Sequence, residues 1–210
     1  MLTLYDNPGS SNALKVRMLL AELGLDYQRA HVPFPRPRPE ALLAVYPFGS
    51  IPALVDGDLR LGESNAILRY LAAREDRDDL YPADLRQRAR VDQALDAWQT
   101  MVRPAAGKLD GLALLWTNRE QGGGRWEDAP DQEALQEAIP AVVQAYDNFE
   151  RLLPGEGYVC GTFTIADCCV APGLWRTHRL PLPTERWPKL MRVRQLVTEH
   201  PSFKAAGPVE

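Results

Sequence analysis

An α/β domain followed by an all-α domain is the architecture this sequence predicts. Three observations lead there. Strand-type and helix-type patterns alternate over residues 1–74. A turn-forming Asp56-Gly57-Asp58 joins two short apolar runs, the pattern of a hairpin. After Glu75 the strand signals stop, and apolar residues recur at three- and four-residue steps, the period of a helix with one buried face.

Leu2-Thr3-Leu4-Tyr5 reads as a strand, and Asn7-Pro8-Gly9 turns the chain. Ser10, Ser11 and Asn12 stand where a helix cap belongs, ahead of Ala13, Val16, Leu19, Leu20 and Leu23 at helical spacing. Gly24 fits the position just past the helix end. Asp26 to Val32 reads as a second strand, and two strands this close around one helix imply a right-handed parallel unit. Pro33, Pro35, Pro37 and Pro39 impose an extended, exposed segment. Glu40 to Val45 suits a short helix. Pro47 and Gly49 end it, and Ile51-Pro52 is an X-Pro bond that can take the cis form. Ala53-Leu54-Val55 and Leu59-Arg60-Leu61 are the hairpin strands. Gly62-Glu63-Ser64-Asn65 then opens a helix through Ala66, Ile67, Leu68, Tyr70 and Leu71. The resulting order, βαβαββα, is that of a thioredoxin-like domain spanning residues 1–74.

Glu75 to Asp84 is a charged linker, and residues 85–210 read as a helical bundle domain. Its first helix runs from Leu85 to Trp116, with Pro104 expected to kink it. Gln121 to Asp128, with its three consecutive glycines, reads as a flexible loop. A helix from Gln132 to Leu153 carries Pro140 as a second kink. Thr164 caps a third helix, with Asp167 placed to answer it in a capping box. A fourth covers Pro188 to Glu199.

The chain as a whole narrows the function. Its 210 residues suffice for a sizeable core, and 45% are hydrophobic. A formal net charge of −4 gives no reason to expect nucleic acid or an anionic membrane as a partner. No apolar run reaches the length of a membrane span. The three cysteines, Cys160, Cys168 and Cys169, form neither a disulfide framework nor a zinc spacing, so the expected setting is cytoplasmic, without a metal. His31, His178 and His200 lack partners at metal spacing. Nucleotide-binding and hydrolase-elbow motifs are absent.

Two stretches carry chemistry. A helix that opens at Ser64 presents free N–H groups and a positive dipole end to a carboxylate. Glu63 beside it can pair with an ammonium, so the two together suit an α-amino acid head. At the first helix, a hydroxyl among Ser10 and Ser11 could donate to a thiolate, which the helix dipole also favours. Simple helix capping is the competing role at both places.

Pro-Phe-Gly-Ser-Ile-Pro-Ala-Leu at residues 47–54, followed by Glu-Ser-Asn-Ala-Ile at residues 63–67, resembles the glutathione-site signature of cytosolic glutathione transferases. Gly-Thr-Phe-Thr-Ile-Ala-Asp at residues 161–167 resembles that family's helix-opening motif, and the Trp-Pro and His-Pro-Ser-Phe segments resemble its tail, so the likeness covers nearly the whole chain. The resemblance implies that Ile51-Pro52 is cis and that the Ile51 backbone pairs with the cysteinyl unit of glutathione. It also implies that Glu63 and Ser64 grip the γ-glutamyl head. Ser10 occupies the place of the active hydroxyl of serine-type, bacterial-like transferases. Asn12 matches a second thiol-contacting donor, and Ser11 joins the glutathione contacts as an alternative to Ser10. Tyr5 is a rival hydroxyl, as some classes use a tyrosine near the end of the first strand.

Three positions depart from the pattern. Tyr46 stands where the family has Asn. No Lys, Gln or His near Gly49-Ser50 can hold the glycine carboxylate, which leaves Arg36 or Arg38. Arg103 replaces an Asn before the helix-kinking proline. The implied function is glutathione transfer from the thiolate to a hydrophobic electrophile, a detoxification chemistry, in a homodimer. Met101 and Val102 are expected in the electrophile pocket. Glutathione-dependent disulfide or peroxide reduction, isomerisation, and a non-enzymatic interaction module are the alternatives.

Overall fold

A computed structural model describes residues 1–34, 36–117, 132–177 and 180–207, with side chains left out at 111–117 and 132. The expected loop at residues 121–128, His178, and the side chains of Leu112 and Trp116 lie outside the description.

The first domain comprises β1 (Leu2–Asp6), α1 (Ser11–Leu23), β2 (Tyr27–His31), α2 (Glu40–Val45), β3 (Ala53–Asp56), β4 (Leu59–Leu61) and α3 (Ser64–Arg74). The sheet order is β2-β1-β3-β4, with β1 and β2 parallel and the other pairs antiparallel. This is the thioredoxin-like arrangement. Alternation sorts the faces of β1. Leu2 and Leu4 turn to the core shared with α1 and α3, while Tyr5 packs with Val32, Leu42, Ile51 and Ala53 on the α2 side. Gly24 ends α1 with φ 64°, a left-handed conformation that suits glycine.

The second domain is helical: α4 (Leu85–Ala97), a π-helical turn (Trp98–Val102), α5 (Arg103–Thr117), α6 (Gln132–Leu152), α7 (Ile165–Arg176), α8 (Pro188–Glu199) and α9 (Pro201–Ala205). The long helix expected from Leu85 to Trp116 is continuous, but its ladder widens to a π-helical turn just ahead of Pro104. Proline brings no N–H and its ring crowds the carbonyl four residues back, so the ladder widens upstream. Arg103 N–H reaches Trp98 O, five residues back. By contrast, α6 runs as α-helix through Pro140, which sits on the exposed side where water can reach the freed carbonyl.

The core of this domain is aromatic. Trp98, Tyr146, Phe149 and Trp187 are each at most 1% exposed. Their rings meet edge-on or stacked, Tyr146 and Trp187 at 5.0 Å between centroids. Trp98 closes on α7 at Gly173, where a Cβ would stand 2.7 Å from the indole. The capping box at α7 is present. Thr164 Oγ1 accepts from Ala166 N–H, and the buried Asp167 accepts from Thr164 N–H at 2.8 Å and Val159 N–H at 2.9 Å. Helix α7 packs directly on α1, which joins the two domains through one continuous core.

Candidate active site

The sheet register gathers the predicted residues at one end. β1 pairs antiparallel with β3 as far as Tyr5 opposite Ala53, so the Asp6–Ser10 loop continues past the place where Ile51-Pro52 enters β3. Leu54 pairs with Leu61, so the chain leaving β4 brings Glu63 back toward Pro52. The loop that carries Ser10, the Ile51-Pro52 bond and the opening of α3 thus share one edge. The Ile51-Pro52 peptide is cis, as the resemblance implied, and Ile51 lies beyond the last residue paired with β1.

The Ser10 loop is held by side chains. Asp6 is fully buried and receives Arg17 Nη1 at 3.0 and 3.1 Å, with Arg29 as a second partner. Arg17 Nη2 also donates to Pro8 O at 3.1 Å. Asn7 Nδ2 donates to Val32 O, and Asn7 Oδ1 accepts from Gly9 N–H. Arg176, near the end of α7, donates to Gly9 O at 2.9 Å and pairs with Asp110 of α5 at 3.5 Å. Both domains therefore brace this loop.

Ser10 is the N-cap of α1. Its Oγ accepts from Ala13 N–H at 3.2 Å, which leaves the hydroxyl hydrogen to be donated elsewhere. Capping and donation to a sulfur are thus compatible in one side chain. Ser11 is the first residue of α1 and is buried. Asn12 is half-buried, and its Oδ1 is enclosed without a hydrogen-bond partner. Tyr5 is held in the strand and packs on the α2 side against the cluster of Val32, Leu42, Ile51 and Ala53.

At the other pole Ser64 is the first residue inside α3, rather than its cap. The cap position falls on Glu63, which has φ 61° and makes no side-chain capping bond. Ser64 is 5% exposed and its hydroxyl makes no hydrogen bond among the described residues. Glu63 is exposed, and its Oε1 accepts from Tyr46 Oη at 2.7 Å. That hydrogen bond to the carboxylate pushes the Tyr46 phenol pKa up. The Tyr46 ring lies on Gly62, where a Cβ would stand 2.4 Å from it. Tyr46, a departure from the family pattern, thus orients the glutamate.

Other expectations divide. Arg38 lies beside Gly49 and donates to Phe34 O at 3.1 Å, while Arg36 is exposed. Arg103 reaches forward over Gly107, and together with Arg176 it opposes the rise that burial imposes on the Asp110 pKa. Met101 and Val102 were expected in the electrophile pocket. They line an apolar cavity of about 500 Å³ between α5 and α6, whose walls contain no residue of the first domain, and Val102 is itself only 1% exposed. Periodicity marks an apolar face without saying which neighbour covers it. The roles of Arg17, Arg176 and Tyr46 carried no sequence signal, because each depends on a partner distant in the chain.

Comparison with known proteins agrees with this geometry. Residues 1–73 match the family described as Glutathione S-transferase, N-terminal domain, and residues 132–196 match Glutathione S-transferase, C-terminal domain. Maleylacetoacetate isomerase of Pseudomonas aeruginosa is 31% identical, with 99% of this chain and 96% of the relative covered. Glutathione S-transferase GstB of Escherichia coli is also 31% identical, over 97% of this chain and 96% of the relative. The solved structure of a glutathione S-transferase III in apo form superposes with a TM-score of 0.80 at 30% identity, covering 98% of this chain and 94% of that one. The chain belongs to the glutathione S-transferase family.

Proposed function

We propose that the protein holds glutathione across the shared edge of the first domain and presents its sulfur, as thiolate, to a hydrophobic electrophile. Residues 1–74 bind glutathione, and residues 85–210 supply the wall that faces the electrophile. The observation that carries this reading is the pairing of two helix openings on one sheet end, each with an uncommitted hydroxyl function: Ser10 at α1 and Ser64 at α3. Glu63 takes the α-ammonium of the γ-glutamyl head, while Ser64 and the first N–H groups of α3 take its carboxylate. The Ile51 backbone, beside the cis Pro52, pairs with the cysteinyl unit. Ser10 donates its free hydrogen to the sulfur, Asn12 adds a second polar contact, and Ser11 lines the same helix opening. Arg38 takes the glycine carboxylate. Proximity and a pre-formed thiolate then supply the rate, with no covalent enzyme intermediate.

The relative named as an isomerase supports a second use of the same bound thiolate: reversible addition to a double bond instead of displacement. A homodimer completes the reading. Phe48 projects from the first domain with 76% of its surface exposed, and the apolar cavity beside Met101 and Leu152 has matching character. One of each per chain suits reciprocal seating about a two-fold axis. No helix among the described residues is long and apolar enough to cross a membrane, and the three cysteines are free, which fits a cytoplasmic setting. Calorimetry with glutathione, followed by a panel of chloronitrobenzene, enone, peroxide and disulfide substrates, tests the reading. Failure to bind glutathione at millimolar concentration would reject it.

A further inference from the structure

Lys15 is an anomaly of the interior. It lies on α1, beyond Ser10 and Asn12, and is 1% exposed. Its Nζ donates to Gln99 Oε1 at 2.9 Å, on the π-helical turn of the other domain. Gln99 is neutral, and among the described residues no carboxylate forms an ion pair with Lys15. The Cys169 thiol of α7 faces it and donates to Asn65 Oδ1 at 3.3 Å. Asn65 in turn donates to Leu95 O at 3.0 Å. Asn65 follows Ser64, so this buried chain of polar groups runs from the helix that opens at Ser10 to the helix that opens at Ser64.

A buried ammonium held only by neutral groups is costly, and an unbranched apolar side chain would fill the same volume without that cost. Folding alone therefore gives no reason for a charge here. Burial drives the Lys15 pKa down; Cys169 opposes this, Arg103 adds to it, and Glu63 opposes it. Any anion arriving at the joint relieves the penalty. Coupling is reciprocal, so the ammonium favours that anion to the same extent.

We propose that Lys15 is a positioning residue of the reaction, an ammonium left without a counter-ion at the joint of the two domains, which the glutathione anion matches and which in return favours the thiolate form of the sulfur. The inference rests on the glutathione reading above. The charged and titratable groups around Lys15 are Cys169 from α7, Glu63 from the opening of α3 and Arg103 beyond the π-helical turn, with Arg69 reaching it only through Cys169. All are left in place by the test.

The experiment compares the full-length protein with Lys15→Met, Lys15→Gln and Lys15→Arg. Three quantities are read: thermal midpoint without ligand, glutathione Kd, and ultraviolet thiolate absorbance of saturating glutathione against pH. Both neutral variants should keep or raise the thermal midpoint. Both should move the bound-thiol titration up by about one pH unit, close to tenfold less thiolate at neutral pH. Lys15→Arg should restore the wild-type titration. An unmoved titration in both neutral variants would overturn the proposal. So would failure of both to fold, since the ammonium would then be structural. Absence of glutathione binding in the wild type would instead reject the underlying reading, so the two failures are distinguishable.

Discussion

Tyr46→Phe isolates the contact that orients Glu63. The phenylalanine ring keeps the packing on Gly62, where space is closed to any Cβ, and removes only the hydroxyl that donates to Glu63 Oε1 at 2.7 Å. A hydrogen bond to a carboxylate is worth about 1.5–3 kcal/mol when well formed and shielded. Glu63 is exposed, so solvent competes, and about 0.5–1.5 kcal/mol is the working figure. Glutathione affinity should fall about two- to tenfold, with kcat at saturating glutathione nearly unchanged, because the γ-glutamyl head is held equally in ground and transition states. Calorimetry gives the Kd directly. The discriminating step is a double-mutant cycle with Glu63→Gln, which alone should weaken binding about ten- to a hundredfold. In the Glu63→Gln background Tyr46→Phe should add almost nothing. If the two effects simply add, Tyr46 acts on glutathione by another route and the orientation argument fails.

Further outcomes follow from other parts of the molecule. Ser10→Ala should leave glutathione Kd within a few-fold while raising the titration midpoint of the bound thiol and cutting kcat near neutral pH; the same shift from Tyr5→Phe with none from Ser10→Ala would reassign the hydroxyl. Asp167→Ala strips two buried N–H groups of their acceptor and should cost about 3 kcal/mol or more, roughly 6–12 °C in thermal midpoint by calorimetric scan. Burial raises the Asp167 pKa from 3.8 to about 7, so between those values the folded state binds more protons than the unfolded one. The contribution of Asp167 to stability should therefore decline as pH rises from about 4 to 7, and Asp167→Asn should flatten that decline in denaturant titrations at several pH values. Phe48→Ser should shift light-scattering mass from dimer toward monomer, whereas an unchanged mass would place the contact between copies elsewhere.

Much of the fold was legible because local rules and tertiary context agree. The Asp56-Gly57-Asp58 turn, the strands on either side of it, the Thr164–Asp167 capping box and the Pro188 start of α8 each satisfy turn, alternation or capping chemistry where they stand. The π-helical turn was not legible, because proline announces a disruption without specifying how the preceding ladder accommodates it. The candidate site was read at Pro52, Glu63 and Ser64 from the signature over residues 47–67, and at Ser10 from the separate run that opens the first helix. Two details within it were not. Ser64 is inside α3 instead of capping it, since Glu63 takes the cap position with a positive φ. Tyr46 looked like a loss from the pattern but replaces it with a direct contact to Glu63. Lys15 and Arg17 lie on a helix whose period suggested one apolar face, yet both are buried, because α1 is covered by α3 of its own domain and by α7 and α9 of the other. A helix enclosed on several sides has no solvent face on which to leave its charges.

Glutathione held as thiolate at the opening of α1 is the state on which the proposed reaction depends. Ultraviolet difference absorbance of the wild-type protein with saturating glutathione, titrated from acid to alkaline pH, tests it most directly. A single thiolate transition is expected at least one pH unit below the ordinary thiol value of about 8.5. A transition at the value of free glutathione, in a protein that calorimetry shows to be saturated, would contradict it.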